Sequence, residues 1–260
     1  MSELSISIVL YNNSAGQIDK VVKNLLNVTR SFTGVEIFLI NNSRDNYYLN
    51  WFLKRYENSK QIHIVTADKN RGFGAGNNLV LNRLNSEYHI VMNPDVMISD
   101  ALELKKMVHY MDENTEYGLL SPVVKFPDGK VQHLLKQKSN VLDMALRFTG
   151  FPGFSSRKEK FVSLPDGYAS THPAENVPGS FMLFRTKILK DIDGFDQNYF
   201  LYMEDCDITM KINQVSQTIF YSEAYVYHEW QRENKKSLRG IIRMLQSMVK
   251  YFNKWGWQLY

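Results

Sequence analysis

The sequence predicts a single α/β domain with a mostly parallel central sheet flanked by helices. Short apolar runs alternate with helix-periodic segments along roughly the first hundred residues, as βαβ units require. The apolar runs are nearly continuous rather than alternating, which is typical of strands buried on both faces. Each gap between them is long enough for one helix.

The composition is that of a folded globular protein. The chain has 260 residues, of which 44% are hydrophobic and 22% charged, so one large domain can bury a sizeable core. The only cysteine, Cys206, cannot form a disulfide within the chain, which agrees with a reducing compartment. The sequence shows no signal-peptide pattern and no run of ~20 apolar residues. We therefore expect a cytoplasmic protein that does not cross a membrane.

Periodicity places the elements of the first half clearly. Strands and helices are expected to alternate in this order: strand Ser5–Leu10, helix Ile18–Val28, strand Val35–Ile40, helix Tyr48–Tyr56, strand Ile62–Ala67, a helix that begins in the turn Asn70–Asn78, and strand His89–Met92.

The pattern is looser after Asp95. Residues 130–175 are irregular and rich in Gly and Pro, as expected of a loop that shapes a substrate site or of a surface insertion. The remaining expected elements are helices Leu102–Met111, Ile188–Ile192 and Asp205–Asn213, and strands Leu119–Phe126, Val177–Arg185 and Ala224–Tyr227.

The C-terminal segment carries the excess positive charge. From His228 to Tyr260 there are seven Lys/Arg and two Glu, whereas the rest of the chain holds 24 basic and 25 acidic residues. Leu238–Phe252 has the periodicity of an amphipathic helix. Such a helix could lie on an anionic membrane surface, pack on its own domain, or pair with a second copy in a homodimer. Nucleic acid is not an expected partner, because the body has no net positive charge.

Small polar residues follow three of the expected strands, at Tyr11–Asn13, Asn41–Ser43 and Asn93–Asp95. Asn and Asp often simply end strands. Because the carboxyl ends of parallel strands form the ligand-binding edge of an open sheet, their repetition predicts one shared crevice.

The glycine-rich segment Asn70–Asn78 does not match the dinucleotide fingerprint, because Asn77 stands where the third glycine is required. Its backbone amides and Arg71 could still cradle a diphosphate, and a plain tight turn is the alternative. Asp95 offers a carboxylate for Mg²⁺ or Mn²⁺, the hard cations that bridge phosphates.

Three carboxylates, Glu204, Asp205 and Asp207, lie beside the aromatic run Tyr199–Tyr202. Acidic residues near a helix start often only complement the helix dipole. An acid next to buried aromatic residues can also acquire the shifted pKa of a catalytic base. His228, alone after an apolar strand, is by itself more typical of packing than of a ligand.

Five motifs in this order resemble a known family, the family 2 glycosyltransferases, and in particular its rhamnosyltransferase-like branch. The motifs are Ser7-Ile8-Val9-Leu10-Tyr11-Asn12, Asn70-x-Gly72-Phe73-x-x-Gly76-Asn77-Asn78, Asn93-Pro94-Asp95-Val96, Pro178-Gly179-Ser180-Phe181-Met182, and Gly194-Phe195-Asp196-x-x-Tyr199-Phe200-x-Tyr202-x-Glu204-Asp205-x-Asp207. The resemblance implies a GT-A fold with a Rossmann-like sheet. It also implies a nucleotide-sugar-binding half at 1–98, an acceptor-binding half at 99–230, and a basic amphipathic helix at 231–260.

The resemblance further implies roles for individual residues. Asp205 would be the general base of an inverting transfer, with Glu204 beside it positioning the acceptor. Asp95 would bind Mg²⁺ or Mn²⁺ together with His228. The other implied contacts are with the nucleotide sugar, through Tyr11, Asn12, Asn41, Asn42, Asn70, Arg71, Gly72, Asn77, Asn93 and Asp95, and with the acceptor, through Gly179, Ser180, Phe181 and Tyr202.

The donor implied is dTDP-L-rhamnose, with UDP-linked sugars as the alternative, and the acceptor is a saccharide or a polyprenyl-linked saccharide. The expected process is synthesis of a bacterial cell-surface polysaccharide, on the cytoplasmic side and near the inner face of the membrane. Asn93 replaces the first acid of the family's D-x-D motif, which lowers the charge at the metal site. Asn41 stands where an aspartate commonly contacts the base, and an amide can both donate and accept a hydrogen bond, which lowers the expected selectivity for uracil or thymine. A non-catalytic sugar-binding module on the same fold is the rival from another functional class.

Overall fold

The structure is a computed structural model that describes residues 3–149, 153–229 and 238–259, without the side chains of residues 147–149, 238 and 239. The boundary predicted between residues 230 and 231 therefore lies outside the described residues, as do Arg232, Lys235 and Lys236 of the basic tail.

The first half of the chain forms the parallel part of the sheet. Its elements are β1 (Leu4–Leu10), α1 (Ala15–Val28), β2 (Glu36–Asn41), α2 (Tyr47–Leu53), β3 (Ile62–Thr66), α3 (Phe73–Asn78) and β4 (Tyr88–Met92). The strands lie side by side in the order β3-β2-β1-β4, and all three pairings are parallel. The apolar runs form these strands because both of their faces are covered, as expected.

The second half continues the same sheet with mixed strand directions. Its elements are β5 (Val96–Ile98), α4 (Ala101–Glu113), β6 (Tyr117–Lys125), α5 (Val141–Thr149), α6 (Ser155–Phe161), β7 (His172–Pro173), β8 (Phe181–Arg185), α7 (Thr186–Asp191), α8 (Glu204–Val215), β9 (Gln217–His228) and α9 (Leu238–Trp255). β8 runs antiparallel to both β4 and β6, β9 runs parallel to β6, and β5 pairs antiparallel with β9 at the far edge. The parallel strands predicted for the first half are thus joined to a mixed second half.

One apolar core lies on each face of the sheet. α1 and α4 cover one face through residues such as Leu25 and Met107. Leu189 of α7 and Ile208 of α8 belong to the core on the other face. A sheet covered on both sides is what the continuous apolar strands predicted.

Several boundaries in the second half differ from the prediction. The strand expected at Val177–Arg185 begins only at Phe181, and the one expected at Ala224–Tyr227 extends over Gln217–His228. β5 was not predicted, because a three-residue strand carries too little periodicity. Residues 130–175, predicted to be irregular, contain two helices, α5 and α6.

The C-terminal helix α9 packs on its own chain. Tyr251 and Phe252 are buried against Tyr199 and Met203 in a small separate core, and the Ser247 hydroxyl donates to the Leu201 carbonyl at 2.9 Å. The body covers only part of the apolar face, since Ile242, Leu245, Val249 and Trp257 stay exposed. No helix among the described residues combines the length and the apolar character that a bilayer span requires.

Candidate active site

The turn that carries Asp95 joins β4 to β5 and is held by backbone hydrogen bonds. The Asn93 N–H donates to the Ser180 carbonyl at 3.0 Å, and the Val96 N–H donates to the Asn93 carbonyl at 3.1 Å. The Asp95 carbonyl accepts from the Glu229 N–H at 3.0 Å. The Asp95 turn is thus bonded to Ser180, just before β8, and to Glu229, just after β9.

The same arrangement brings His228 to Asp95. His228 pairs with Val96 across the β5–β9 ladder, and its Nε2 lies 3.5 Å from Asp95 Oδ1, with the two side chains only 6% and 15% exposed. His228 Nδ1 donates to Gln132 Oε1 at 3.1 Å, so in the neutral ring Nε2 presents its lone pair toward Asp95. A ligand histidine is commonly oriented in this way by a partner on its other nitrogen.

The donor set suits a divalent cation that also binds a diphosphate. Carboxylate oxygen and imidazole nitrogen are both ligands of Mn²⁺, and Mg²⁺ is commonly held by one or two carboxylates plus substrate phosphates. Among the described residues there is no group of three or more His, Cys, Asp and Glu that could hold a metal. Asp95 and His228 would therefore supply two ligands and leave the others to phosphate and water.

The glycine-rich loop before α3 is pressed against the segment that leads to the acidic cluster. Gly72 has φ +96°, and a Cβ at this position would lie 1.8 Å from the Phe200 carbonyl oxygen. Asn42 holds the loop from the other side, because its Nδ2 donates to the Gly72 carbonyl at 3.0 Å. Asn70 Oδ1 accepts from the Gly72 N–H at 2.9 Å. Only glycine fits here.

Three of the predicted donor-binding asparagines have buried side chains with partners inside the protein. Asn41 bonds the Asn50 side chain and the Ser43 N–H, and Asn77 accepts from the Ser7 hydroxyl at 2.7 Å. Asn42 is the third, through its bond to the Gly72 carbonyl. These buried side chains hold the loops around them in shape through hydrogen bonds inside the protein.

Three of the other predicted donor-binding side chains lie at the surface. Tyr11 is exposed, and Asn12, with φ +56°, accepts from Asn46. Arg71 is exposed and pairs with Asp68 at 2.7 Å. Tyr11, Asn12 and Arg71 are therefore the exposed members of the predicted set, whereas Asn70, Asn93 and Asp95 are partly exposed.

Glu204 and Asp205 begin α8, one residue earlier than predicted. The two preceding residues, Tyr202 and Met203, both have left-handed backbone conformations, with φ +71° and +68°. Left-handed backbone is uncommon outside glycine and is kept only where the surroundings require it. This sharp turn aims the first residues of α8 and lies next to Phe200, which contacts Gly72.

The two adjacent carboxyls differ in their electrostatics. Burial and the negative charge of Asp205 raise the pKa of Glu204 to about 8. Burial acts in the same direction on Asp205, but the Lys136 ammonium and the Cys206 N–H outweigh it, so the pKa of Asp205 is lowered. Asp205 is the carboxyl of the pair that is ionised at neutral pH.

A short turn, Gly179-Ser180, lies between the two acidic turns. A Cβ on Gly179 would be 3.2 Å from the Cβ of Asp205, and the Ser180 carbonyl accepts from Asn93. The Ser180 hydroxyl is buried without a hydrogen-bond partner among the described residues. Phe181 is fully buried in the main core, so its side chain supports this turn from behind.

Sequence reasoning missed three residues of this region. Lys136 reaches Asp205, Gln132 orients His228, and Lys254 contacts Asp207. The first two lie in the segment that follows β6, where no periodic pattern pointed to a role. What marks Lys136 is that its charged side chain is mostly buried, and burial is not visible in the sequence.

Comparison with known proteins identifies the family of this chain. The family described as "Glycosyl transferase family 2" matches residues 5–193. The chain belongs to glycosyl transferase family 2. The resemblance to family 2 glycosyltransferases seen in the five motifs is confirmed.

Two relatives carry the name of rhamnosyltransferases. The N-acetylglucosaminyl-diphospho-decaprenol L-rhamnosyltransferase of Mycobacterium tuberculosis is 23% identical over 195 residues, covering 68% of this chain. The chain spans 60% of the length of that relative. Rhamnosyltransferase WbbL of Escherichia coli (strain K12) is 24% identical over 257 residues, covering 92% of this chain and 89% of the relative.

Solved structures show the same GT-A fold at low sequence identity. GalNAc-T7, solved with UDP, GalNAc and Mn²⁺, has a TM-score of 0.66 at 13% identity, over 89% of this chain and 44% of that one. Mannosyltransferase PcManGT from Pyrobaculum calidifontis, solved with GDP-Man and Mn²⁺, has a TM-score of 0.66 at 15% identity, over 97% and 64%. TarS 1-349 from S. aureus, in complex with UDP, has a TM-score of 0.59 at 17% identity, over 96% and 66%. The prediction of a GT-A fold is confirmed.

Proposed function

We propose that this glycosyltransferase moves L-rhamnose from dTDP-L-rhamnose, with inversion, onto a saccharide or polyprenyl-linked saccharide used in a bacterial cell-surface polysaccharide. The names of the mycobacterial and E. coli relatives support rhamnose as the sugar, and the former also supports a polyprenyl-linked acceptor. A UDP-linked donor is the alternative, since TarS and GalNAc-T7 were solved with UDP.

One observation carries the proposal. The Gly179-Ser180 turn lies so near Asp205 that a Cβ on Gly179 would be 3.2 Å from the Asp205 Cβ, and the Ser180 carbonyl accepts from the Asn93 N–H of the Asn93-Pro94-Asp95 turn. An ionised carboxylate and a candidate metal–diphosphate anchor therefore flank the same short backbone segment. A transferase of this type needs a base for the acceptor and a charge-neutralising site for the leaving group on opposite sides of the anomeric carbon.

Asp205 is the proposed base. Its carboxylate accepts the proton of the acceptor hydroxyl as the acceptor oxygen forms the new bond to the anomeric carbon. The bond between that carbon and the phosphate oxygen breaks, and its electron pair leaves with the nucleoside diphosphate. Attack from the face opposite the leaving group inverts the configuration at the anomeric carbon. Glu204, at the start of the same helix, would position the acceptor.

The donor half of the proposed site is residues 1–98. Asp95 and His228 would hold Mg²⁺ or Mn²⁺, which neutralises the charge that develops on the departing diphosphate. Tyr11, Asn12 and Arg71 would contact the nucleotide directly. The remaining donor-side residues act through the loops that they hold in shape, namely Asn41, Asn42, Asn70, Gly72, Asn77 and Asn93.

The acceptor half is residues 99–230. Gly179 and Ser180 would line the junction between donor and acceptor through their backbone, because the Ser180 hydroxyl is buried. Tyr202 stands beside Glu204 and would line the acceptor side. Phe181 contributes by fixing the backbone of this turn.

The test is a transfer assay with a panel of nucleotide sugars, run with Mg²⁺ or Mn²⁺ on the wild type, Asp205→Asn and the surface control Asp128→Asn. We expect Asp205→Asn to lower kcat by about 10²- to 10⁴-fold, as for loss of a general base. Asp128→Asn should keep the wild-type rate, because Asp128 lies in an exposed turn bonded to Lys130. Wild-type turnover by Asp205→Asn would disprove the base assignment, and no hydrolysis or transfer of any donor would favour the non-catalytic sugar-binding module.

We also propose that the enzyme works at the inner face of the membrane. The support is the apolar strip on α9 that the body leaves uncovered, formed by Ile242, Leu245 and Val249, together with the exposed Trp257 just after the helix. The segment is also basic in sequence. Flotation with anionic vesicles at two salt concentrations tests this. We expect binding that weakens when Ile242 and Val249 are replaced by Ser, and absence of binding to the wild type would exclude the membrane role.

A further inference from the structure

The adjacent carboxyls Glu204 and Asp205 raise a question that the motif itself does not answer. Two carboxyls this close, in a site of low solvent access, resist being ionised together. Only the ionised one can accept a proton from an acceptor hydroxyl. Something in their surroundings must therefore decide which of the two is the base.

Lys136 is the cation next to this pair. Its Nζ lies 3.4 Å from Asp205 Oδ2, and the two side chains are 18% and 22% exposed. The same ammonium lies 3.9 Å from the Cys206 sulfur. Lys136 is therefore partly buried against the start of α8, unlike the solvated lysines of the surface.

The backbone around Lys136 is held in place. Its N–H donates to the Asn176 carbonyl at 3.2 Å in an isolated antiparallel bridge, and Asn176 Nδ2 in turn contacts the Cys206 sulfur at 2.9 Å. The segment that carries the lysine is thus linked directly to the first turn of α8. An anchored ammonium can set the orientation of a carboxylate as well as its charge.

The contacts of the two carboxyls are unequal. Asp205 Oδ2 faces Lys136, and Asp205 Oδ1 accepts from the Cys206 N–H at 2.9 Å. Glu204 Oε2 is buried and has no hydrogen-bond partner among the described residues. Each oxygen of Asp205 thus faces a donor suited to an anion, whereas Glu204 is better suited to holding a proton.

Titratable groups reach Asp205 from each element packed against it. Lys136 comes from the segment after β6, and Glu204 and Cys206 belong to α8 itself. Tyr251 of α9 also senses the charge of Asp205, and burial keeps the pKa of this phenol above its ordinary value. Lys136 is the cation of this group.

We propose that Lys136 is a positioning residue that makes Asp205, and not its neighbour Glu204, the base of the transfer reaction. This inference rests on the proposed function. Lys136 holds the Asp205 carboxylate ionised and in one orientation, and Glu204 keeps the proton of the pair. The cation makes Asp205 a weaker base, and in exchange Asp205 is ionised whenever an acceptor arrives.

The test compares Lys136→Met with Lys136→Arg and with the control Lys130→Met, all in the full chain. Lys130 is a matched control because it is exposed and pairs with Asp128 only a few residues before Lys136. Two quantities are measured: the pH dependence of kcat/KM, and the titration of the Asp205 carboxyl followed by ¹³C NMR without substrate. The Asp205 signal is assigned by its absence in Asp205→Asn.

Removal of the cation takes away a group that stabilises the carboxylate, so the pKa of Asp205 rises in Lys136→Met. We expect its NMR midpoint and the acidic limb of the kcat/KM profile to move together to higher pH by about one unit or more. The rate should recover toward the wild-type value at high pH. Lys136→Arg should restore most of the wild-type profile, and Lys130→Met should leave it unchanged.

An unshifted Asp205 titration in Lys136→Met would overturn the inference, as would a loss of rate by the same factor at every pH. If Lys136→Met does not fold, Lys136→Arg still decides, because a profile unlike the wild type in a folded protein with a cation in place contradicts the assignment. The NMR titration needs no turnover. A failure of the proposed function, seen as an active Asp205→Asn, is therefore distinguishable from a failure of the Lys136 assignment.

Discussion

The turn that carries Asp95 and the turn that carries Asp205 flank the same Gly179-Ser180 segment, but different forces hold them. Asp95 follows β4 and precedes β5, and backbone hydrogen bonds to Ser180 and Glu229 fix it. Glu204 and Asp205 follow two residues in left-handed conformation, Tyr202 and Met203. Side chains from distant parts of the chain hold this turn in place.

The side chains that hold the base-side turn come from elements far away in the sequence. Lys136 reaches Asp205 from the segment after β6. Lys254 and Trp255 of α9 both reach Asp207 Oδ1 at 2.8 Å, and Lys254 also pairs with Asp196 at 2.8 Å. The metal-side turn therefore depends on sheet register, and the base-side turn depends on long-range ion pairs. The base side should be the more sensitive of the two to remote substitutions.

Substitution at the contact between the glycine-rich loop and the segment that leads to Asp205 should have the largest effect. Gly72→Ala would drive a Cβ into the Phe200 carbonyl in a backbone conformation that only glycine adopts easily. We expect a loss of at least about 3 kcal/mol in the free energy of unfolding, because backbone atoms cannot move aside as a flexible side chain can. Urea unfolding followed by circular dichroism measures this loss.

Gly129→Ala is the matched control for Gly72→Ala. Gly129 also has positive φ, +87°, but its Cβ would meet nothing within 4 Å. It should cost only the backbone strain, about 1 kcal/mol. Equal losses for the two variants would show that the contact between Gly72 and Phe200 does not constrain the segment that leads to Asp205.

A smaller effect is expected from Lys254→Met, which acts on the base side alone. Asp207 is fully buried and would lose its cation, while Trp255 would still donate to it. Because Lys254 itself is about one-third exposed, we expect a moderate loss of about 1–2 kcal/mol in the free energy of unfolding. Mn²⁺ affinity in the presence of dTDP should stay at the wild-type value, since Asp95 and His228 are untouched.

Lys187→Met serves as the reference for Lys254→Met. Lys187 pairs with Asp191 at the surface, with both side chains at least half exposed, so its loss should change stability by less than about 0.5 kcal/mol. Urea denaturation and isothermal titration with Mn²⁺ give both quantities. If Lys254→Met weakened Mn²⁺ binding as much as it weakened folding, the two turns would not be independently held.

The elements of the first half were predictable because their information is local. Leu10, Ile40 and Met92 each end an apolar run at a polar turn, and the structure ends a strand within one residue of each. The metal-side turn follows from the same pattern. Val96–Ile98 was missed because it becomes a strand only through its pairing with β9, and α5 and α6 were missed inside a Gly- and Pro-rich stretch.

The sequence by itself determined the order of strands and helices in the first half, the family, and the residue types at both acidic turns, since periodicity, turn chemistry and motif order are properties of neighbouring residues. The family resemblance already paired His228 with Asp95, and the tertiary structure places Nε2 of the first 3.5 Å from Oδ1 of the second. Only the tertiary structure decided that Lys136 lies beside Asp205 and that α9 packs against the start of α8. The physical reason is that these contacts join side chains far apart in the chain. Their partners are chosen by burial and by strand register, and neither is written in any short stretch of sequence.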